Sequence, residues 1–330
     1  MPALLAFCSP YYEAAALNEI ATVLSTRVER SLSPGVFLLH STLPEDLTNC
    51  RSEAAPFIFT RQLVVGLKRI HLCGDIDTDL SSILEVAPPD AMKIGRSFVC
   101  FPSGSRNDIL ISLHNALAVR MPPVPSAFAQ SSTHALAVVV TGQDAWVGLA
   151  LRSPWAAGRP QFDDAAGTIS RAAFKLLEAL DTFTIPVRAG MQALDLGAFP
   201  GGWTQVLATR NFTVVAVDPG ALDPRVASLP GVELHKTLAQ NYLPQADRTF
   251  DLVINDMRLD ARESAHIMVQ AGDVLHPDGV GLMTIKLPQR APTAIIRATQ
   301  ARLRSAYPVQ QVRCLYFNRH EVTVYLRRQD

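Results

Sequence analysis

Residues 193–203, ALDLGAFPGGW, decide how the C-terminal half of this chain is read. An apolar run from Ala193 leads into Asp195, Leu196 and Gly197. A turn follows at Pro200, Gly201 and Gly202, and then a helix begins near Trp203. Buried strand, tight glycine turn and helix together make a βα unit. In a doubly wound sheet, ligands bind at the carboxyl ends of strands, where the strand order reverses. Glycines in that turn allow close approach of the backbone. Further on, VVAVDPG places Asp218 at the end of the next apolar run, where a carboxylate can accept hydrogen bonds from both hydroxyls of a ribose. The nicotinamide fingerprint GxGxxG is absent, and no GKS or GKT marks a P-loop. A glycine-rich turn without a ligand is the plainer alternative, and the register of Asp218 weighs against it.

Around this loop, apolar runs alternate with helical stretches. Strands are expected at Ala193–Leu196, Val214–Val217, Leu252–Ile254 and Val280–Ile285, and a helix over Ser170–Leu180 with Ser170 as its N-cap. Continuous apolar strands separated by helices indicate a parallel sheet covered on both faces. Val309–Leu315 and Val322–Leu326 follow with a connection short enough for a hairpin, so the last strand is expected to be antiparallel.

Four charged residues can converge on the ligand edge of that sheet. Asp256 ends the strand DLVIN and Lys286 ends GLMTIK. Glu321 opens EVTVYL, and because that strand is antiparallel its start lies at the same edge. Lys175 sits on the opening helix, off its apolar stripe. A hydroxyl is a poor acid, so its use as a nucleophile needs a base. A lysine serves when burial or a neighbouring cation lowers its pKa. Each residue also has an ordinary role open to it: a solvated lysine at a strand end, a helix-capping aspartate, an edge-strand glutamate that discourages aggregation, and a Lys175–Glu178 pair at i,i+3. The combination carries the reading.

SRAAFKL, DLGAFPGGW, DLVINDM, TIKLP and RHEVTVYL, in this order, resemble the motifs of the FtsJ-like (RrmJ-like) ribose 2′-O-methyltransferases. The resemblance covers residues 168 to 328. It implies a Rossmann-like domain that binds S-adenosylmethionine through Asp195, Gly197, Pro200, Gly201, Gly202, Trp203, Asp218, Thr237 and Asp256. It also implies a Lys-Asp-Lys-Glu tetrad at Lys175, Asp256, Lys286 and Glu321, with Lys286 as the base. That family usually carries an acid after the third strand, against the adenine amino group. VELHKTLAQNYLP has no acid between Glu233 and Asp247, so backbone groups around Thr237 and Leu238 are expected to serve, or cofactor affinity to be weak. FCSPYYE, FIFTRQLVVG and WVGLALRSPWAAGRPQ extend the resemblance towards the 23S rRNA cytidine 2′-O-methyltransferase family known as RlmM. This implies a ferredoxin-like and THUMP-like RNA-binding region before the methyltransferase domain, and a cytidine of large-subunit rRNA as substrate.

The 330 residues suggest two domains, with 48% apolar residues supplying their cores. Prolines 122, 123, 125, 154 and 160 place the boundary near residue 160, giving an α+β region over 1–160 and the methyltransferase domain over 161–330. In the first, Tyr11–Leu24 and Ile109–Arg120 read as helices, and Val36–His40, Phe57–Val65, Leu136–Val140 and Ala145–Ala150 as strands. Zero net charge is unusual for a nucleic-acid binder. The charge is uneven, however. Nine basic residues against two acids lie from Lys286 to the end, and five acids with no Lys or Arg lie between Asp75 and Asp90. Arg51, Arg61, Lys68, Arg69, Arg106 and Arg120 are available for phosphates in the N-terminal half, although such residues are commonly only solvating. Trp146, Trp155 and Trp203 could stack bases, but packing is the commoner role. Five cysteines without a CxxC pair indicate neither disulfides nor zinc. No signal peptide or membrane span is read, and a soluble cytoplasmic protein is expected, with no metal and no membrane partner. Two other functions stay open: a methyltransferase of a different acceptor, opposed by Asn255-Asp256-Met257-Arg258 where base-amino enzymes carry a Pro-Pro-aromatic loop, and a non-catalytic RNA-binding protein with a decayed cofactor site.

Overall fold

A computed structural model of the chain describes residues 3–26, 28–40, 57–89, 97–100, 107–120, 135–151, 162 and 167–328. The chain divides into two compact units, 1–161 and 162–330.

The first unit runs β1 (Ala3–Cys8), α1 (Glu13–Val23), β2 (Val28–Ser33), β3 (Val36–His40), β4 (Thr60–His71), α2 (Ile76–Val86), β5 (Ser97–Cys100), α3 (Asn107–Arg120), β6 (Ala135–Thr141) and β7 (Asp144–Leu151). Its seven strands form one sheet in the order β2-β3-β1-β4-β7-β6-β5, antiparallel except where β5 meets β6. Strand alternation divides the apolar residues between two faces. On β6, Leu136, Val138 and Val140 pack with Leu80, Ile83, Leu113 and Leu117 of the helices, and Ala135, Ala137 and Val139 pack with Leu5 and Phe7. Glu19 ties α1 to the start of β4: its carboxylate accepts from the Thr60 N–H at 2.9 Å and from the Thr60 hydroxyl at 2.9 Å. This anchor explains a departure from the reading of Phe57–Val65, because the strand begins at Thr60 and continues to His71. The helix expected over Tyr11–Leu24 opens as a 3-10 turn, Pro10–Tyr12, before α1. The acidic stretch after Asp75 holds α2, capped by the Asp75 carboxylate on the Thr78 N–H. Arg51, Arg106 and Trp155 lie outside the described residues.

The second unit runs α4 (Ala172–Thr182), β8 (Gln192–Leu196), α5 (Gly202–Ala208), β9 (Thr213–Val217), α6 (Pro224–Ala227), β10 (Val232–His235), α7 (Ala239–Tyr242), β11 (Phe250–Asn255), α8 (Ala261–Ala271), β12 (Leu275–Lys286), α9 (Pro292–Leu303), β13 (Val309–Arg313) and β14 (Glu321–Arg327). The sheet order is β10-β9-β8-β11-β12-β14-β13. The strands from β10 to β12 are parallel, and β14 is antiparallel to both its neighbours. The order reverses between β8 and β11, and the crevice outside their carboxyl ends is where such sheets hold ligands. One face of the sheet buries Ala193, Val214, Leu252, Ile254 and Leu282 against Leu176, Trp203 and Leu207 of α4 and α5. Each fully buried leucine or isoleucine there contributes about 1.5–3 kcal/mol relative to exposure. The helix expected from Ser170 starts at Ala172, with Arg171 at the cap position. Ser170 still serves the helix entrance, since its hydroxyl accepts from the Ala172 N–H at 3.3 Å.

Candidate active site

The carboxyl edge of the second sheet collects the charged groups. Asp256 follows β11 directly, Lys286 ends β12, and Glu321 opens β14. The β12–β14 ladder pairs Lys286 with Glu321. Lys175 reaches the same place from α4. Its ammonium donates to Asp256 Oδ2 at 3.0 Å and pairs with Glu321 Oε1 at 2.6 Å. The Lys286 ammonium donates to Asp256 Oδ1 at 2.9 Å and to Glu321 Oε2. Two ammonium groups and two carboxylates thus alternate in a closed ring.

A fifth residue braces the ring. The Thr284 hydroxyl donates to Asp256 Oδ1 at 2.7 Å and accepts from Lys286 at 3.0 Å. Sequence reading passed over Thr284. The available signal was its spacing, because a residue two before Lys286 in a strand faces the same side.

Burial and charge act against each other here. For Lys175, burial works to lower the pKa, but the carboxylates of Asp256 and Glu321 outweigh it and hold the group above the usual lysine value. For Asp256, burial works to raise the pKa, but Lys175, Lys286 and the Thr284 hydroxyl outweigh it and hold the acid below the usual value. The Lys286 side chain is 31% exposed and that of Lys175 16%, so Lys286 is the more accessible amine.

The neighbouring strand ends carry the second set of expected residues. Asp195 is buried and accepts from the Thr204 hydroxyl at 2.7 Å. Burial, aided by the charges of Asp256 and Asp218, pushes its carboxyl up to about 7. Asp218 accepts from the Phe199 N–H at 3.2 Å and from the Gly220 N–H, at 2.6 Å, so its carboxylate joins the glycine loop to its own turn. Gly197 has φ +80°, and a Cβ there would overlap the Met257 side chain; one on Gly202 would overlap the Ser170 hydroxyl. These two glycines are thus required by protein neighbours, whatever ligand the loop meets. Pro200 and Gly201 shape the turn, the Pro200 carbonyl accepting from the Asp223 N–H at 2.9 Å. Thr237 follows β10, its N–H bonded back to the His235 carbonyl at 2.9 Å.

The family described as FtsJ-like methyltransferase matches residues 168–275. Over that span the chain is similar to the FtsJ-like methyltransferases. The matched span includes Lys175 and Asp256, and Lys286 and Glu321 lie beyond it. The Ribosomal RNA large subunit methyltransferase M of Halorhodospira halophila is 33% identical over 189 residues, 56% of this chain and 54% of that protein. The protein of that name from an Azoarcus species is 32% identical over 203 residues, with the same coverages of 56% and 54%. The chain therefore spans about half the length of the curated relatives it matches. Among solved structures, the Methanococcus jannaschii fibrillarin pre-rRNA processing protein is similar at 16% identity and a TM-score of 0.38, over 59% of this chain and 84% of that one.

In the second unit the Trp203 side chain belongs to the core. It is buried, and its indole N–H donates to the Ala172 carbonyl at 2.7 Å. Only its backbone is left for a ligand at the loop. The Lys175–Glu178 pair considered from spacing is not the one formed: Glu178 accepts backbone N–H groups of Tyr316 and Phe317 instead. In the N-terminal unit the Arg69 guanidinium lies 5.8 Å from the Trp146 ring centroid and bonds Asp144 at 2.7 Å. Cys8 is buried. Among the described residues, no group of three or more His, Cys, Asp or Glu is placed to hold a metal ion, and no helix is long and apolar enough to cross a membrane.

Proposed function

We propose that this chain is an S-adenosylmethionine-dependent RNA methyltransferase that methylates a ribose 2′-hydroxyl, acting in the cytoplasm on a cytidine of large-subunit rRNA. The observation that carries the reading is the ring of Lys175, Asp256, Lys286 and Glu321 at the ligand edge of the sheet. The names of the relatives support the rRNA substrate. In this reading residues 1–160 form a ferredoxin-like and THUMP-like region that holds RNA, and residues 161–330 carry the chemistry.

The residues present suit the cofactor. Phe199 and Leu238 are large apolar side chains left exposed, at 60% and 52%. Phe199 follows β8 and its N–H bonds to Asp218, and Leu238 follows Thr237 beyond β10, so an aromatic purine and a ribose diol meet matching chemistry there. When bound, the cofactor supplies an electrophilic methyl group on a sulfonium.

The protein's work is then positioning and proton removal. Lys175 is held between two carboxylates that keep it protonated, and its charge offsets part of theirs. Lys286, the more exposed amine, is the group placed to take the proton leaving the 2′-hydroxyl. Asp256 and Glu321 stabilise the resulting ammonium and fix its direction through three contacts shared with Thr284. A preorganised set of this kind stabilises charge as it develops.

The test is transfer of labelled methyl from S-adenosylmethionine to an unmodified 23S rRNA transcript, with Lys286→Ala alongside and the product digested to nucleosides. Label on a cytidine 2′-oxygen, lost in the variant while cofactor binding persists, is the expected result. Wild-type transfer by Lys286→Ala removes the base from its role. Label on a base amino group or a non-RNA acceptor replaces the substrate assignment. Neither label nor cofactor binding favours a non-catalytic protein.

A further inference from the structure

Glu178 is a buried acid, 5% exposed, that the proton-transfer scheme does not use. It lies on α4 one turn after Lys175. Its two oxygens accept the N–H of Tyr316 at 2.7 Å and of Phe317 at 2.9 Å. Asn318 secures the same turn from the other side, its Oδ1 accepting from the Leu315 N–H at 2.9 Å and from the Thr323 hydroxyl at 3.1 Å. The connection between β13 and β14 is therefore held rigidly at the residues that bear two aromatic rings.

Those rings join two more. Phe317 stacks on Phe174, centroids 5.2 Å apart with planes at 24°. Phe162 lies 6.0 Å from Phe317 and 6.4 Å from Phe174, and Tyr316 meets Phe317 edge-on at 5.1 Å. All four are only half-buried. Phe174 precedes Lys175 in α4, and Phe317 closely precedes Glu321. The elements that deliver the cluster are thus the two whose side chains meet in the Lys175–Glu321 ion pair. Arg171 and Arg319, on the same elements, are exposed. Partly exposed aromatic rings on elements that also carry exposed guanidinium groups are the kind of surface on which unpaired bases stack while phosphates are held alongside.

We propose that Tyr316, Phe317 and Phe174 form a stacking platform for an unpaired nucleobase of the RNA substrate beside the Lys-Asp-Lys-Glu ring, with Glu178 as the residue that positions it. The platform rests on the RNA methyltransferase reading above. It gives substrate selection to the domain that does the chemistry, and it selects for single-stranded or splayed nucleotides over a closed duplex.

The experiment irradiates the full-length protein with a single-stranded RNA oligonucleotide carrying 5-iodocytidine, maps the crosslinked peptides, and measures kcat and KM for the 23S transcript. Tyr316→Leu, Phe317→Leu, Phe317→Tyr and Glu178→Gln are compared with wild type. Crosslinks at Tyr316, Phe317 or Phe174 are expected. KM for RNA should rise about tenfold in each leucine variant, the order expected for losing one stacked base. Cofactor affinity should hold, Phe317→Tyr should behave as wild type, and Glu178→Gln should also raise the RNA KM. If wild type binds and methylates RNA but crosslinks elsewhere, and the leucine variants keep its KM, the platform is wrong and the methyltransferase reading stands. A wild-type protein that neither binds nor methylates RNA overturns both.

Discussion

Thr284 gives the charged ring something that four charges alone cannot supply, a neutral hydroxyl that donates to Asp256 while accepting from Lys286. It is buried, so valine can take its volume but leaves both neighbours one bond short. A hydrogen bond to a charged group is worth about 1.5–3 kcal/mol, so Thr284→Val should lower kcat roughly 10- to 100-fold with the fold kept. Single-turnover methyl transfer checks this, and an unchanged rate would reduce Thr284 to packing. Lys175→Met tests the opposite end of the ring. Asp256 has a folded pKa below its ordinary value, so its contribution to stability is complete above that ordinary value and is lost as pH falls through the folded one. Lys175 has a raised pKa; its contribution is complete below the ordinary lysine value and is lost as pH rises through the folded one. Removing Lys175 leaves two largely buried carboxylates with one cation, which costs about 3–5 kcal/mol. It should also move the acid limb of the stability curve to higher pH. Urea midpoints measured across the pH range would show both effects, and a curve parallel to wild type would mean that the ring is not coupled.

The α4 and α5 helices meet where Gly202 passes the Ser170 hydroxyl, so their packing is set by the absence of one carbon. Gly202→Ala should destabilise the protein by about 1–3 kcal/mol through overpacking. Adding Ser170→Ala should recover much of that loss, because the atom in collision is the hydroxyl oxygen. Additive losses in the double-mutant cycle would show that the helices yield elsewhere. Contacts of this kind mark the limit of what single elements reveal. Strands β8, β9 and β11 were legible because parallel strands buried on both faces read as unbroken apolar runs. β10 is only Val232–His235 and half-buried, too short and mixed to stand out. β1 lies in ALLAFC, an apolar run too short for periodicity to separate strand from helix, and α2 lies in an acidic stretch although Ile76, Leu80, Ile83 and Leu84 repeat at helical spacing. β12 was read from Val280, but it begins at Leu275 and carries His276-Pro277-Asp278-Gly279 through a register shift against β11. Turn-forming residues at such an irregularity conceal a strand. The four charged residues were legible because each stands at a strand end or on one helix face. The bonds of Thr284 to Asp256 and of Glu178 to the Tyr316–Phe317 turn were not, because those partners lie on other elements.

At the scale of the whole molecule, every side chain named for cofactor and proton transfer falls in the unit 162–330, which has its own core. Cofactor binding therefore should not depend on the first unit. RNA capture, in the proposed division of labour, should depend on both, because the first unit is proposed to hold RNA as well. A fragment of residues 162–330 should bind S-adenosylmethionine with an affinity close to that of the full chain. Its KM for the 23S transcript should rise at least tenfold, and its methylation should show a shallower salt dependence because fewer phosphates are neutralised. Calorimetry with the cofactor and methyl-transfer kinetics across a salt series would separate the two. If the fragment methylates rRNA with the KM and salt slope of the full chain, residues 1–160 are not the RNA-binding region proposed for them. If it folds but binds no cofactor, the site draws on the first unit in a way that the strand-end residues alone do not account for.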